Sequence, residues 1–297
     1  MLCNLNLLAC WTALACVHSA FGTLENIYVY PRIIESRSSE GKLMLMINEH
    51  ISLNLQKTSP FTERFSLVYE KDGIQQVEER SAGSLSGELY RDPDNEAAIL
   101  ISRRDGLRLK GVIKGNMIID HDELAVLRNG AVRHRLSVRE VPAENDYHGD
   151  DFAYTSETSE RLLDHFQERR DSAMSERSSE SQGFLNVTVR TSVIVSQEYI
   201  VEFQRSKYSA VTTVIDYLGV FFALVNSFFE KFNEHSLDLQ LSVASVVLLA
   251  KSSESFVQVL PNEKNVINGS TLVTLDLFAD SHRGIIGRDD IVIYLSK

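Results

Sequence analysis

Cysteine is nearly absent from this sequence, and its few copies are confined to one end. The 297 residues contain three cysteines, which are Cys3, Cys10 and Cys16. They lie in or beside an apolar core over residues 5–17 that small residues follow, a pattern typical of a secretory signal peptide, here assigned to residues 1–20. Removal of that peptide leaves a chain without cysteine. Disulfide bonds are then excluded, and the hydrophobic core alone must stabilise the fold.

Positive charge and the common catalytic motifs are also scarce. The formal net charge is −11, which argues against a nucleic-acid binder, because phosphate binding requires clustered lysine and arginine. The patterns HExxH, CxxC, GxGxxG and GxxxxGK[ST] do not occur. The sequence therefore contains no zinc-protease helix, dithiol, dinucleotide loop or phosphate loop of the usual kinds.

The most apolar segment after residue 20 covers residues 210–232. A membrane-spanning helix needs about 20 mostly apolar residues, but Asp216, Asn226 and Glu230 interrupt this segment. Its apolar side chains recur at steps of three and four, so they share one helical face. The pattern predicts a long helix packed on a sheet and no transmembrane span.

Residues 24–143 predict a β-rich antiparallel unit. Short apolar or alternating segments fill this region, and the dipeptides Asp72-Gly73, Asp105-Gly106 and Asn129-Gly130 separate some of them. Such dipeptides between apolar runs are the strongest local indication of a β-hairpin.

Residues 144–185 differ in composition from the rest of the chain. They are rich in serine, glutamate and aspartate, which predicts a solvated linker. The dibasic pair Arg169-Arg170 in this linker is a candidate processing site, because proteases cut exposed linkers most readily.

Residues 186–297 predict a different order of elements. Two apolar strands flank the long helix, and a second helix begins after Ser270 and precedes a third strand over residues 289–297. Such apolar strands are typical of a parallel sheet covered by helices. The predicted fold class is α+β, with an antiparallel β-rich unit followed by an α/β unit of order β-α-β-α-β and a mostly parallel sheet. We expect the second unit to be truncated, because an apolar strand comes last.

Few residues are candidates for chemistry. Ser281, His282, Asp289 and Asp290 are the residue types of a hydrolytic triad, but the first two lie at a predicted helix end, where capping is the favoured role. The segment HDEL at residues 121–124 follows a strand and predicts a solvated turn rather than a metal site.

Two asparagines lie in glycosylation motifs. Asn186 begins NVT and Asn268 begins NGS, and both are candidate acceptors in a secreted, extracellular protein.

Several segments resemble one family of enzymes. Residues 87–121, GELYRDPDNEAAILISRRDGLRLKGVIKGNMIIDH, resemble the prodomain of reprolysin-type (ADAM-like) zinc metalloproteases. The phrases VTVRTSVIVS, YLGVFFALVNSFFEKF, LDLQLSVASVVLLAK and DDIVIYLS are similar to the N-terminal half of the metzincin catalytic domain. The resemblance covers about residues 24–297 and is strongest to the secreted salivary metalloproteases of blood-feeding arthropods.

The resemblance implies a secreted zinc metalloendopeptidase precursor that cleaves extracellular proteins. In that family, three histidines of HExxHxxGxxH bind zinc and the glutamate acts as general base. This chain contains none of these residues, so no catalytic or metal-binding residue is carried over, and the chain as given is expected to be inactive alone. No cysteine outside the signal peptide is present to hold the zinc in a latent state, so latency would require steric covering.

Two alternatives to the enzyme precursor remain. One is a non-catalytic secreted binding or inhibitory protein derived from the same parts. The other is an unrelated secreted β/α protein without enzyme ancestry. A single hydrophobic core shared by the two halves would favour the unrelated protein over two units separated by a linker.

Overall fold

The computed structural model describes residues 27–34, 42–122, 131–138, 152–153, 185–203, 209–230, 237–250, 256–260, 263–268, 270–286 and 289–296. The predicted signal peptide, the Asn129-Gly130 turn and the Arg169-Arg170 pair lie outside the described residues, as does nearly all of the predicted linker.

Strands dominate the described part of the chain. They are Ile27–Val29 (β1), Arg32–Ile34 (β2), Leu43–Met46 (β3), Ser52–Lys57 (β4), Phe61–Lys71 (β5), Ile74–Ser81 (β6), Glu88–Asp92 (β7), Ala97–Ser102 (β8), Arg108–Ile113 (β9), Met117–His121 (β10), His134–Val138 (β11), Phe152–Ala153 (β12), Leu185–Val195 (β13), Leu237–Leu248 (β14), Val259–Leu260 (β15), Glu263–Asn268 (β16) and Ile291–Leu295 (β17). The helices are Gln197–Phe203 (α1), Ala210–Glu230 (α2), Thr271–Ser281 (α3) and Arg283–Ile286 (α4).

A nine-stranded sheet, called the N-terminal sheet, has the order β1-β11-β10-β9-β8-β7-β4-β3-β2. All its strand pairs are antiparallel. Alternate residues on its strands point into one core, as β9 illustrates with Leu109 and Ile113 buried and Arg108 and Lys110 partly exposed. Gly111 lies between them, and a Cβ there would be 2.2 Å from the oxygen of Ala98, so this close strand contact requires glycine.

The two predicted hairpin turns that fall in the described part of the chain are confirmed. Asp72 and Gly73 join β5 to β6 with φ values of 54° and 76°. This left-handed backbone suits aspartate-glycine in a tight turn. Asp105-Gly106 joins β8 to β9, and Gly106 has a φ of 92°.

A five-stranded sheet, called the mixed sheet, has the order β17-β13-β14-β5-β6. β13 pairs in parallel with both β14 and β17. β14 also pairs in parallel with β5, which pairs antiparallel with β6. Leu67 and Val68 are successive residues of β5, and both are buried, because this strand is covered on both faces as inner strands are.

The long helix α2 confirms the predicted helix and lies between the two sheets. One face packs on the mixed sheet through side chains such as Val214, Leu218 and Phe222. The opposite face packs on the N-terminal sheet through Val220 and Ala223. Among the described residues, α2 is the one helix long and apolar enough to cross a membrane, and 67% of its most apolar stretch is buried inside the protein.

The predicted fold class is wrong in its second part. The segments β13, α2, β14, α3 and β17 follow the predicted order, but they do not form an α/β unit with a mostly parallel sheet. The β5–β6 hairpin, which lies within residues 24–143, joins their sheet and makes it mixed, and the large antiparallel sheet makes the whole chain rich in strands. The alternation of apolar residues identifies β5 as a strand, but it does not specify the partner strand.

The composition of residues 253–268, which include Pro261, predicts a loop, but the described residues among them include two strands, β15 and β16. β16 pairs antiparallel with β15 and parallel with β12 in a small three-stranded sheet. β16 has the sequence EKNVIN, in which four of six residues are polar. Such a composition gives little local preference for a strand, so pairing supplies the structure here.

Candidate functional site

The N-terminal part of the chain is joined to the mixed sheet around one helix. We call this contact the α2 interface; it comprises α2, β14, β5, residues 82–86 and the strands β7 and β8. β5 adds to the edge of β14 in parallel register, with Leu67 opposite Val246. The N–H of Val243 donates to the oxygen of Pro60 at 2.8 Å. Strand addition of this kind holds a segment through main-chain bonds and fixes its register.

Aromatic side chains fill the α2 interface on the side of the mixed sheet. The rings of Phe61 and Phe65 stack with centroids 4.6 Å apart. Phe222 of α2 is fully buried in the same cluster, and its ring meets that of Phe221 edge to face at 5.1 Å. A shared cluster of this kind makes the N-terminal segment part of the core around α2.

The other face of α2 is equally apolar and is covered by the N-terminal sheet. Val220 and Ala223 pack against Leu89, Ala98 and Leu100, all of which are buried. Nearby, a Cβ at Gly219 would lie 3.4 Å from side-chain atoms of both Leu85 and Phe61. Residues from the N-terminal part thus pack directly against the helix at Gly219.

One buried carboxylate links α2 to residues 82–86. Asp216 is 6% exposed, and its carboxylate accepts bonds from the N–H of Ser86 at 2.9 Å and from the hydroxyl of Ser86 at 2.5 Å. Burial raises the pKa of the Asp216 carboxyl, and the two bonds from Ser86 oppose that rise. Removing either donor from this buried carboxylate would cost folding free energy, because the charge would lose a hydrogen bond without gaining water.

Asn226 completes the edge of β14 where β5 does not reach. Its side-chain amide donates to the oxygen of Leu241 and accepts from the N–H of Leu241, both at 2.9 Å. The pairing of β5 with β14 begins only at Val243. The amide of Asn226 therefore takes the place of a strand residue, which explains a polar side chain that is 4% exposed.

The residue types of a hydrolytic triad do not come together. Ser281 Oγ is 2.9 Å from His282 Nδ1, but both groups also contact the oxygen of Phe278, at 2.8 Å, in the last turn of α3. Asp289 and Asp290 instead contact Arg190, through its guanidinium and its backbone N–H respectively. The contacts of Ser281 and His282 agree with the predicted capping role.

A buried polar cluster behind β13 was missed at the level of sequence. Ser192 Oγ lies 2.6 Å from Ser245 Oγ and donates to Asp289 Oδ2 at 2.5 Å. The Asp289 side chain is 1% exposed and pairs with Arg190 at 3.2 Å. The only sequence indication is a serine that directly precedes the last apolar residues of each strand, Ser192 in β13 and Ser245 in β14. The cluster ties the beginning of β17 to β13 and β14.

A cleft of about 220 Å³ lies at the carboxyl ends of β5 and β14. Ligands of open α/β sheets often bind at such ends. Here the lining is mixed: apolar residues of β5 and β14 line it together with polar side chains such as Tyr69, Glu70, Gln75 and His282. None of the buried polar groups described above faces into this cleft.

The described residues do not fit a zinc site. Within the described part of the chain, no three side chains of histidine, cysteine, aspartate or glutamate stand together as metal ligands would. The solvated turn expected at residues 121–124 is wrong for His121, which ends β10 with its side chain 13% exposed. Asp122 pairs with Arg133.

The candidate modification sites fall in different places. Asn186 is exposed near the beginning of β13, so it is accessible to a modifying enzyme. Asn268 is the last residue of β16. The candidate processing site Arg169-Arg170 lies outside the described residues and stays a prediction.

No protein-family model matches this chain, and no curated protein matches it. The resemblance to reprolysin-type metalloproteases therefore rests on the quoted segments alone.

Replacing Ser86 with alanine should lower the free energy of unfolding by about 1–3 kcal/mol at neutral pH, because the buried carboxylate of Asp216 loses its hydroxyl donor. The loss should shrink as the pH falls and Asp216 becomes protonated, since the hydroxyl bond stabilises the charged form. Ser84→Ala is the matched control, because Ser84 is exposed on the same turn. Chemical denaturation measures both, and equal stabilities of the two variants would contradict the assigned role of Ser86.

Proposed function

We propose that the N-terminal sheet and the β5–β6 hairpin are a built-in folding partner and steric cover for the unit around the mixed sheet. In this proposal the chain is the precursor of a secreted zinc metalloendopeptidase. The observation that carries the proposal is the position of α2, which is covered on one face by the N-terminal sheet and on the other by a sheet that includes β5.

The enzymatic part of the proposal is supported by the resemblance of the quoted segments. Its substrates would be extracellular proteins, and its cofactor would be zinc. The described residues do not fit a zinc site, and the chain lacks HExxHxxGxxH. No catalytic step is therefore assigned to any residue of this chain, and the zinc ligands would have to be encoded elsewhere in the product.

The covering role is supported by the absence of another latency device in the sequence. The three cysteines all lie within the first sixteen residues, so removal of the predicted signal peptide leaves no thiolate to occupy a zinc ion. Covering by the N-terminal sheet requires no metal ligand. Secretion, which the proposal also requires, is supported by the apolar segment at residues 5–17.

A non-catalytic secreted binding or inhibitory protein is the second candidate. The specific observation in its favour is the shared core, in which Phe61, Phe65 and Leu67 pack with α2 and β14. A segment that is built into the core cannot be removed without exposing apolar surface, which suits a protein that keeps its N-terminal part. The same shared core also favours the other alternative, a secreted protein without enzyme ancestry, because that alternative does not require two units separated by a linker.

The transcript downstream of the codon for Lys297 tests the enzymatic part. We expect an open reading frame that encodes HExxHxxGxxH. The product of that frame should bind zinc and cleave a denatured extracellular protein, and a zinc chelator should abolish the cleavage. An in-frame stop directly after Lys297 would overturn the enzyme proposal and leave the non-catalytic candidate.

A further inference from the structure

Two histidines face each other on neighbouring strands of the N-terminal sheet. His121 of β10 is directly opposite His134 of β11 in the antiparallel register. His134 is fully buried, and the side chain of His121 is 13% exposed. Histidine is the side chain whose charge changes most readily between neutral and mildly acidic pH.

Both ring nitrogens of His134 have a backbone partner. The N–H of Leu109 donates to Nε2 at 2.9 Å, and Nδ1 lies 3.0 Å from the oxygen of Val132. Nε2 must therefore be unprotonated, and Nδ1 must carry the hydrogen that Val132 accepts. This arrangement specifies a neutral ring in a single tautomer.

The bond from Leu109 lies at the end of a strand pair. The pairing of β9 with β10 ends at Lys110 and Asp120, and Leu109 is the next residue of β9. The imidazole of His134 thus supplies the acceptor for a backbone N–H just beyond the last residue pair. Protonation of Nε2 would place two N–H groups against each other and break that bond.

A second proton on this ring is opposed mainly by burial. Burial is the largest influence and lowers the pKa of His134 to about 4; the bond to Val132 and the carboxylate of Asp120 oppose this shift, and His121 adds to it. The charged residues that flank the ring in sequence are Arg108 and Lys110 on β9, Arg135 on β11, and Arg133, which pairs with Asp122. Burial, rather than these cations, therefore keeps the His134 ring neutral.

His121 has no compensating bonds. Both its ring nitrogens are buried and have no hydrogen-bond partner among the described residues, and its nearest carboxylate oxygen belongs to Asp120 at 3.4 Å. A proton on Nε2 of His134 would meet the N–H of Leu109, which offers it no acceptor.

We propose that the buried ring of His134, which lies opposite His121, is an acid-sensitive joint that loosens the N-terminal sheet when the surroundings become acidic. The acid sensitivity stands on the His134 ring and its two backbone partners, Leu109 and Val132. Its consequence, that acid uncovers α2, rests on the proposed function of this sheet as a cover.

The direction of the effect follows from the proton balance of His134. The unfolded chain binds a proton near the ordinary histidine pKa of about 6.5, whereas the folded chain binds it near 4. Stability is therefore fully present above about pH 6.5 and is lost as the pH falls toward 4. The folding equilibrium constant should drop at most about tenfold for each pH unit, and about 300-fold over the whole window.

The test compares the full chain with two single variants by chemical denaturation between about pH 4.5 and about pH 7.5. His134→Gln keeps an acceptor for Leu109 but does not titrate, so its stability should fall much less with acid than that of the wild type. His50→Gln is the control, because His50 is exposed in the same part of the chain, and it should behave as the wild type does. Equal slopes for the wild type and His134→Gln would overturn the proposal.

A second measurement serves if His134→Gln does not fold. The imidazole resonances of the folded wild type, titrated with acid, should show His134 unprotonated at pH 6, and exchange of the Leu109 amide should accelerate as the pH falls beyond the intrinsic trend. A folded His134 that titrates near 6.5 would overturn the proposal. Binding of a dye to exposed apolar surface distinguishes the acid-sensitive joint from the covering role of the N-terminal sheet. If acid loosens the sheet and dye binding does not increase, the joint is supported and the covering role is contradicted.

Discussion

Residues 185–297 expressed without the preceding residues should show no cooperative thermal unfolding transition. In the intact chain, the apolar outer face of α2 packs on Leu89, Ala98 and Leu100, and the edge of β14 pairs with β5. Removal of residues 24–143 leaves both surfaces in water. An exposed apolar helix face and an unpaired edge strand promote association and loss of fixed packing.

Calorimetry and near-ultraviolet circular dichroism of the separate segment provide the measurement. The control is the same segment mixed with residues 24–143 produced separately, which should restore a single transition if strand addition and helix covering need no covalent link. A sharp two-state transition for residues 185–297 alone would contradict both the expectation and the proposed role of the N-terminal sheet as a folding partner.

Replacing Phe222 with alanine should lower the free energy of unfolding by about 3–5 kcal/mol, the range typical of a large aromatic side chain removed from a closed core. Phe222 is fully buried, and its neighbours in the cluster come from α2, β14 and the N-terminal segment around Phe65. The cavity cannot collapse easily, because α2 and the mixed sheet enclose it. Chemical denaturation gives the size of the loss.

Phe228→Ala is the matched control for this prediction. Phe228 lies on the same helix but is 38% exposed, so its loss should cost about 1 kcal/mol or less. Because α2 contacts both sheets, amide exchange in the Phe222 variant should accelerate in the N-terminal sheet and the mixed sheet together. Acceleration confined to the mixed sheet would contradict the shared core.

The local features of the fold could be predicted from the sequence. The steps of three and four between apolar residues placed α2 within a few residues of its observed bounds, and aspartate-glycine pairs placed two hairpin turns. These predictions succeeded because they depend on interactions within a few residues along the chain.

The predictions that failed concern partners distant in sequence. β5 was recognised as a strand, yet its partner β14 begins more than a hundred residues later, and no local pattern names it. The spacing of the apolar residues in α2 places them on one face, whereas the structure covers the helix on two sides. Asp216 and Asn226 were interpreted as interruptions of an apolar run, but each has a specific buried partner.

The same limit applies to the candidate site. Ser281 and His282 are candidates in the sequence because serine and histidine are common catalytic residues. In the structure both contact the oxygen of Phe278 at the end of α3. His134 could not be predicted in this way. Its ring contacts backbone atoms of Leu109 and Val132, and such contacts leave no motif in the sequence.

The two-sided covering of α2 has a consequence for biosynthesis. Translation proceeds from the N-terminus, so the strands β1 to β11 leave the ribosome before the helix that they cover. When α2 emerges, both the N-terminal sheet and β5 have already been synthesised. A helix apolar enough to cross a membrane by length and composition thus meets its protein partners at once. A circular permutant that places residues 24–143 after Lys297 would reverse this order and leave the helix unaccompanied during synthesis.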